Sequence, residues 1–415
     1  MPLRRRPTTP VRQTTTLVRR KPSLDFSLTG LVYCSMMMFM GLAAINSQAN
    51  LLFGVFGLMI GVLVVSGFVS RMVLRRLRVE RTIPEAVAVG EVATIVYSFT
   101  NTKRFWPSLS VGLSEMEGVE AFTKQPSTYL LHAAGGMTAS VPTEVVPKRR
   151  GLHTMGRYQI STSFPFGFIK RAIERSQPDT IVVYPPLAKV DNRLLQMARS
   201  AEKTGATMRP RRGGQDEFYG LKEYRSGENP RMIYWKRSAR TGVLVSKEMT
   251  QVSPPRIVLL IDTFLTDRSE AEHVRVERAI AMAGSTAAAA LERDISVGLC
   301  AWDGTWVAIP PNRGKRQQRD ILTALARLSL NMTQNTQSLL DESRDIVGQG
   351  TTAMLFTPRE MQIGLSERTR GAMLVFSSGR DSTANRFFTF PSDVDFATSM
   401  PPDQQPIIGT AVGSG

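Results

Sequence analysis

The chain has 415 residues, enough for several domains, and a formal net charge of +17 that suggests a nucleic-acid or anionic-membrane partner. More than half of that positive excess lies in two short segments, residues 1–27 and 71–81. The two cysteines, Cys34 and Cys300, are too few for a disulfide framework. Composition therefore excludes the disulfide-rich secreted class and favours a reducing compartment.

Two uncharged apolar runs, residues 28–45 and 51–69, lie between the basic segments. At about 1.5 Å of rise per residue, each run nearly spans the ~30 Å hydrocarbon core of a bilayer. A signal peptide would have one such run, and a buried hairpin would show amphipathic faces. We predict a basic disordered tail over 1–27 and two transmembrane helices over 28–70. The positive-inside rule then gives a two-pass protein of the cytoplasmic membrane with both termini in the cytoplasm.

Short β-branched and aromatic runs, separated by turn signals, follow the second apolar run. They lie near residues 94–97, 108–113, 138–146, 156–163 and 180–183. Short strands at this spacing are typical of an antiparallel β-sandwich. We predict such a domain over residues 71–188.

Beyond residue 189 the pattern changes to strands that alternate with helices. Apolar strand runs such as 255–262 and 295–302 flank a long Ala-rich helix over 269–292. This alternation predicts a mostly parallel sheet that is covered by helices on both faces. The layout resembles the von Willebrand factor A fold, a Rossmann-like α/β architecture.

The predicted fold class is therefore α+β multidomain. It comprises an N-terminal transmembrane helical hairpin, an antiparallel β-sandwich and an α/β von Willebrand factor A-like domain. The last domain, together with a motif-rich segment that precedes its sheet, occupies residues 189–380. A flexible tail is predicted over 381–415, because it ends in the stretch PPDQQPIIGTAVGSG.

The von Willebrand factor A fold carries a metal site with the sequence D-x-S-x-S after its first strand. The corresponding residues here run from Asp262 to Thr266, with Phe264 at the position of the first serine. Mg²⁺ binds to carboxylate and hydroxyl oxygens, and a phenyl ring offers none. We therefore expect no cofactor, with a Mg²⁺ site at Asp262 and Thr266 as the alternative.

Recognisable catalytic motifs are missing from the sequence. It has no P-loop, no dinucleotide-binding glycine motif and no nucleophile elbow, and its three histidines stand apart from one another. The carboxylates near predicted strand ends, Asp262, Asp303 and Glu248, have no evident partners. We therefore expect a protein that is not an enzyme, with an unrecognised hydrolytic site as the alternative.

The segment 213–251 concentrates cationic, aromatic and acidic residues. Its pattern predicts a strand at 221–224, a turn, a short helix over 231–240 and a second strand. Asn229 is a good helix cap, and Pro230 is tolerated at the first helical position. Because acidic residues alternate with the cations, we expect ion pairs here and not an open phosphate-binding surface.

The pattern G-L-x-E-Y-x-x-G-[DE]-x-x-R-x-I-x-W-x-x-[ST]-A-R in this segment resembles the signature of the domain of unknown function 58 family. Glu228 stands where the family usually has Asp, and Tyr234 where a small polar residue or His is common. The paired apolar runs and the Pro-Phe-Gly turn at 165–167 also fit, so the resemblance covers about residues 28–380. The signature residues are Gly220, Leu221, Glu223, Tyr224, Gly227, Glu228, Arg231, Ile233, Trp235, Ser238, Ala239 and Arg240.

This resemblance implies a membrane-anchored, non-enzymatic adaptor that presents cytoplasmic domains to a MoxR-type AAA+ ATPase and to client proteins. The signature would then be a docking surface or a latch between the two soluble domains. We favour the latch because Tyr224, Ile233 and Trp235 are residues that proteins usually bury. The alternatives are a nucleic-acid-binding or a metal-dependent protein-binding membrane protein. No nucleic acid is expected, because most of the excess charge flanks the membrane spans.

Overall fold

The computed structural model describes residues 23–205, 212–250, 256–267, 269–348, 351–359, 373–379, 383–392 and 394–399. The chain forms two compact units, Met1–Tyr184 and Pro185–Gly415. Each unit has a hydrophobic core of its own.

The first unit contains two apolar helices, α1 (Leu28–Ser47) and α2 (Asn50–Leu74). Both are long and apolar enough to cross a membrane, and many of their large apolar side chains are exposed. Two candidate membrane spans are therefore present where the sequence predicted them. The second helix runs past its apolar stretch because Val73 and Leu74 continue it into the core of the following β domain, where both are buried.

Nine strands build the rest of the first unit. They are β1 (Ser23–Phe26), β2 (Leu77–Thr82), β3 (Ala86–Ala88), β4 (Ala93–Asn101), β5 (Ser108–Glu115), β6 (Ser127–Ala133), β7 (Thr138–Val145), β8 (Gly151–Thr162) and β9 (Ile169–Tyr184) among the described residues. A short 3-10 turn, Val119–Ala121, lies between β5 and β6.

These strands form two sheets that share one core. One sheet has the order β1-β9-β8-β5-β6 with β3 parallel to β9, and the other has the order β2-β4-β7. The other strand pairs are antiparallel. Ile95 and Phe99 of the small sheet meet Val111 and Ile181 of the large one in a single buried cluster. The predicted antiparallel architecture is confirmed.

The disordered tail predicted over 1–27 is wrong at its end. Ser23–Phe26 forms β1, which pairs with β9 from Ile169 to Ala172. This pairing satisfies backbone groups along an otherwise open sheet edge, a gain that composition alone does not reveal. Residues 1–22 lie outside the described residues.

The second unit contains a mixed α/β arrangement. Its elements are β10 (Lys189–Val190), α3 (Asn192–Gly205), β11 (Arg212–Glu223), α4 (Trp235–Thr241), β12 (Val245–Thr250), β13 (Arg256–Ile261), α5 (Glu270–Glu292), β14 (Ser296–Trp302), β15 (Trp306–Asn312), α6 (Gly314–Arg327), α7 (Thr336–Glu342), β16 (Thr351–Thr357), β17 (Met373–Ser377) and β18 (Phe388–Thr389). The described residues of this unit also contain three 3-10 turns, at Pro230–Met232, Ser343–Asp345 and Thr383–Phe387.

The main sheet of this unit has the strand order β15-β14-β13-β16-β17. Four of these strands are parallel to one another, namely β14, β13, β16 and β17. The edge strand β15 is antiparallel to β14. The central strands are buried along their length, as their continuous apolar runs predicted. The mostly parallel sheet is therefore confirmed, while the likeness to the von Willebrand factor A fold stays a prediction.

The flexible tail predicted over 381–415 is wrong for its first part. The 3-10 turn Thr383–Phe387 leads into β18, which pairs with β10. Phe388 is buried and meets Phe356 edge to face, with 6.5 Å between ring centres. Aromatic burial thus orders the first part of the predicted tail, whose Pro, Gly and Gln residues are concentrated after residue 400. Residues 401–415 lie outside the described residues.

Candidate functional site

The signature segment forms a strand, a turn, a helix and a strand in the predicted order, but the α-helix begins at Trp235 and not at residue 231. β11 and β12 are antiparallel partners, and the connection between them contains the 3-10 turn Pro230–Met232 and α4. The Asn229 side chain caps the turn by accepting a hydrogen bond from the Arg231 N–H at 3.1 Å. Gly242 ends α4 with a φ of 71°, a left-handed conformation that favours glycine.

Several signature residues hold this segment together. Ser238 is buried, and its hydroxyl accepts a hydrogen bond from the Val245 N–H at 2.9 Å. The Tyr234 N–H donates to the carbonyl oxygen of Val245 at 2.8 Å. The Tyr224 hydroxyl donates to the carbonyl oxygen of Glu228 at 3.0 Å. These bonds fix α4 and the preceding turn to the start of β12.

Glu228 is the acidic centre of the hairpin. Its carboxylate accepts hydrogen bonds from Lys222 Nζ at 2.6 Å and from the Ser246 hydroxyl at 3.2 Å. The hydrogen bond from Lys222 is the main cause that holds the pKa of Glu228 below its usual value. Among the described residues of this segment, Lys222–Glu228 is the ion pair that forms, in partial agreement with the expected pairing.

The signature also has an exposed surface. Trp235 is 65% exposed, so the hairpin that carries it does not bury its indole, and burial in a latch between the domains stays a prediction. A seven-residue helix on a two-stranded sheet offers too little surface to cover an indole, and the side chain that α4 buries is Ser238. Arg231 and Arg240 are exposed as well, whereas Ile233 is buried. The signature therefore combines a hydrogen-bonded framework with an exposed aromatic and cationic surface.

A second candidate site lies at the end of β13, where Asp262 is only 2% exposed. One carboxylate oxygen accepts hydrogen bonds from the hydroxyls of Thr336 at 2.8 Å and Thr357 at 2.9 Å. The other accepts from the Phe264 N–H at 3.2 Å. Protein donors therefore occupy both oxygens of the predicted metal ligand.

Thr266, the other predicted ligand, is engaged elsewhere. Its hydroxyl donates to Glu272 at 2.6 Å, and its N–H donates to the same carboxylate oxygen at 3.1 Å. Burial raises the pKa of Glu272, but these hydrogen bonds outweigh it and the pKa lies below its usual value. The structure therefore does not bring Asp262 and Thr266 together as ligands of one metal ion.

A guanidinium lies next to this strand end. Arg359 is 4.5 Å from the centre of the Phe264 ring, and its Nη1 is 3.4 Å from the Thr336 hydroxyl. Within the part of the chain that the structure describes, no group of three His, Cys, Asp or Glu side chains could hold a metal. A divalent metal ion needs free oxygen ligands. This strand end instead has an arginine cation, a phenyl ring and a carboxylate whose oxygens already accept hydrogen bonds.

The candidate catalytic carboxylates have local structural partners. Asp303 accepts hydrogen bonds from the N–H and hydroxyl of Ser329, each at 3.1 Å, and the side chain of Glu248 lies outside the described residues. His153 and His273 contact backbone carbonyl oxygens four residues before them. These contacts show no nucleophile–base pair among the residues named.

Sequence reasoning did not identify the hydroxyl partners of Asp262. Thr357 ends the buried strand β16, which lies parallel to β13 and beside it. Because neighbouring parallel strands end at the same edge of a sheet, this position could have indicated that Thr357 lies near Asp262. It also missed Arg81, which bridges Glu115 at 2.6 Å and Asp179 at 2.9 Å inside the β-sandwich. No local pattern marks that cluster, because its members come from three distant strands.

The chain has no match among curated proteins. Among solved structures, a β-glucosidase from Listeria innocua has 10% identity and a TM-score of 0.17, covering 26% of this chain and 16% of that chain. The sporulation control protein Spo0M from Bacillus subtilis has 13% identity and a TM-score of 0.17, covering 32% and 57%. A GH20 exo-β-N-acetylglucosaminidase from Vibrio harveyi has 8% identity and a TM-score of 0.15, covering 68% and 57%.

These structural likenesses are too weak to carry an argument about fold or function. The family comparison is more informative, because its match begins at Gly220, the first residue of the signature, and ends in β16. Residues 220–356 match the family described as "Protein of unknown function DUF58".

Proposed function

We propose that the chain is a membrane-anchored, non-enzymatic adaptor whose signature segment docks an AAA+ ATPase of the MoxR type, which then acts on client proteins. The observation that carries this proposal is the exposure of Trp235 on a segment whose other signature residues hold it in place. An exposed indole on an ordered, hydrogen-bonded element is typical of a protein-binding surface.

The neighbours of Trp235 suggest the chemistry of the partner surface. Val243 and Leu244 are exposed and extend the apolar surface of the segment. Arg231 and Arg240 add exposed positive charge, and Trp and Arg are the residues that most often dominate binding energy. The proposed partner surface is therefore an apolar pocket with an acidic rim, which would also steer association.

The second unit supports a binding role that does not depend on a metal. Its parallel sheet with one antiparallel edge strand is compatible with the proposed von Willebrand factor A-like fold. In this chain the Asp262 carboxylate is occupied by Thr336 and Thr357. Recognition through Trp235 and its cationic neighbours therefore replaces metal-dependent ligand capture in this proposal.

The proposed topology has both termini in the cytoplasm. α1 and α2 are consecutive helices separated by residues 48–49, so they return the chain to the side from which it entered. Arg71 in the last turn of α2 and the arginines at 75 and 76 supply positive charge on that side. The β-sandwich and the signature segment would then both lie in the cytoplasm, where the ATPase is expected.

Affinity purification of the full chain from native membranes tests the proposal. Trp235→Ala and Arg240→Glu should each reduce recovery of an AAA+ ATPase at least about tenfold, as expected for hot-spot residues, without changing the melting temperature. Tyr129→Ala and Arg316→Glu replace exposed residues elsewhere and should change neither quantity.

Other outcomes would favour the alternatives. A large loss of melting temperature in Trp235→Ala, but not in Tyr129→Ala, would support the interdomain latch. Salt-dependent recovery of nucleic acid without any ATPase would support nucleic-acid binding. Unchanged ATPase recovery with both signature variants would exclude this segment as the docking surface.

A further inference from the structure

Three turns of the β-sandwich lie at the end where α2 enters it. β2 starts at Leu77, directly after α2, and pairs Leu77 with Asn101 at the end of β4. The pairings of β5 with β6 and β8 put the neighbouring strand ends at the same level. The turns 102–107, 134–137 and 163–168 therefore form one surface, which we name the membrane end.

The first of these turns is attached to the end of α2. Lys103 Nζ donates hydrogen bonds to the carbonyl oxygens of Met72 at 2.9 Å and Val73 at 2.8 Å. A cationic side chain on the last carbonyl groups of a helix is a stabilising C-terminal cap. The turn 102–107 is therefore held beside the place where α2 leaves its apolar stretch.

The turn 163–168, which contains the Pro-Phe-Gly sequence, is attached to the start of α1. The Ser27 N–H donates to the carbonyl oxygen of Phe168 at 3.1 Å, and the Phe168 ring stacks on Tyr33 with 4.1 Å between centres. A Cβ atom at Gly30 would lie 2.1 Å from that carbonyl oxygen, so glycine is required for this contact. One turn of the sandwich is therefore attached to the end of α2 and another to the start of α1.

Large apolar side chains project from the membrane end. Phe105 is 83% exposed, and Trp106, Met137 and Phe166 are exposed as well. The Arg104 guanidinium lies 5.1 Å from the centre of the Phe105 ring. A patch of exposed apolar rings is unfavourable in water, whereas aromatic side chains are enriched where a protein meets the lipid headgroups.

Two adjacent arginines add a site for an anion. Arg71 lies exposed in the last turn of α2, one helical turn after Gly67, and Arg171 lies on β9, two residues after Ile169. A Cβ atom at Gly67 would lie 3.6 Å from Cδ1 of Ile169, so α2 and β9 pack together on the faces that carry the two arginines. Burial and the charge of Arg71 lower the pKa of Arg171. Arg171 Nε is buried without an acceptor among the residues that the structure describes. An unpaired guanidinium donor beside a second cation suits a phosphate group.

We propose that the membrane end rests in the headgroup layer of the bilayer crossed by α1 and α2, and that it binds anionic lipids. In this arrangement Phe105, Trp106 and Phe166 lie among the headgroups, while Arg71 and Arg171 bind a lipid phosphate. The proposal rests on α1 and α2 crossing a membrane and is independent of any ATPase partner. Lipid is the expected partner because the membrane end is continuous with α1 and α2.

Fluorescence quenching in vesicles tests the position of the membrane end. An NBD fluorophore is attached at Phe105→Cys or Phe166→Cys in the full chain carrying Cys34→Ala. Cys300 is buried, and burial raises its thiol pKa to about 12, so it does not compete for the label. The matched control is Val92→Cys, an exposed position at the other end of the sandwich.

In vesicles of phosphatidylcholine and phosphatidylglycerol that contain doxyl-labelled lipid, NBD at 105 and 166 should be blue-shifted and quenched. NBD at position 92 should show neither a blue shift nor quenching. Equal, weak quenching at all three positions would overturn the proposal. The two independent positions keep the test decisive if one variant fails to fold.

A second measurement tests lipid selectivity. Spin-labelled phosphatidylglycerol should associate with the reconstituted wild-type chain more than spin-labelled phosphatidylcholine does. Arg171→Gln or Arg71→Gln should each lower that preference by up to about fivefold, whereas the distant exposed Lys124→Gln should not. An unchanged preference in both arginine variants would exclude the proposed phosphate site.

Discussion

The hydroxyl oxygen of Ser238 lies 2.9 Å from the backbone nitrogen of Val245 and joins α4 to the first residue of β12. The same hydroxyl is 3.1 Å from the carbonyl oxygen of Tyr234, to which it donates. One buried side chain thus connects two parts of the hairpin that carries the exposed Trp235. The hydrogen-bonded framework of the signature and its exposed surface are thus joined through this contact.

Ser238→Ala should loosen α4 without unfolding the second unit. The change removes the acceptor of the Val245 N–H, and an unsatisfied buried donor costs about 1–3 kcal/mol. We expect faster amide hydrogen exchange at Val245 and weaker ATPase recovery, with the exchange of β13 unchanged. Thr241→Ala, which removes an exposed hydroxyl of the same helix, is the matched control. Unchanged exchange at Val245 would contradict the assigned role of Ser238.

Glu228 should make the stability of the hairpin depend on pH. Its folded-state pKa lies below the ordinary value of 4.5, mainly because of the hydrogen bond from Lys222. The stabilisation is therefore fully present above the ordinary pKa and is lost as the pH falls through the lowered one. Amide exchange protection around Tyr224, measured against pH, should show this loss in the wild type. Glu228→Gln should give a flatter profile, and an unaltered profile would contradict the prediction.

Arg81 should be indispensable to the β-sandwich. Its guanidinium donates to Glu115 at 2.6 Å and to the Met155 carbonyl oxygen at 2.6 Å, and the Arg81 and Glu115 side chains are fully buried. Arg81→Met leaves a buried carboxylate unpaired and should cost about 3–5 kcal/mol in the free energy of unfolding. Denaturant titration of the first unit's transition measures this loss.

The ion pair between Arg157 and Glu117 provides the comparison for Arg81. Both of its side chains are partly exposed, so Arg157→Met should cost at most about 1 kcal/mol. Adding Glu115→Gln to Arg81→Met should restore part of the lost stability, because it removes the unpaired charge. Equal losses in the two single variants would contradict the description of Arg81 as a buried ionic centre.

The sequence was sufficient to predict the order of helices and strands, but not which side chains are exposed or which distant residues pair. The apolar run before Asp262 predicted a buried strand because continuous burial leaves a continuous pattern. The exposure of Trp235 depends on how little of α4 the two strands cover, which no local pattern encodes. Arg81 is paired with residues 34 and 98 positions away, so its role required the folded sheet. The aromatic residues near Phe388 order the first part of a tail that only its last fifteen residues marked as flexible.

Asp262 should act as a structural residue without Mg²⁺. Asp262→Ala removes the acceptor of the Thr336 and Thr357 hydroxyls and should lower the free energy of unfolding by at least about 2 kcal/mol. Titration of the wild type with Mg²⁺ in a calorimeter should show no saturable binding, and its melting temperature should not change. Saturable Mg²⁺ binding that disappears in Asp262→Ala would establish the metal site instead.

We propose that the exposed surface around Trp235 contacts an AAA+ ATPase, and site-specific photo-crosslinking in living cells tests this contact most directly. Benzoylphenylalanine is placed at Lys236, an exposed position beside Trp235, or at Lys315 on α6, which is also exposed. We predict a crosslink to an AAA+ ATPase from position 236, none from position 315, and loss of the crosslink when Arg240→Glu is added. Crosslinks of equal strength from both positions, or no ATPase at position 236, would contradict the proposed function.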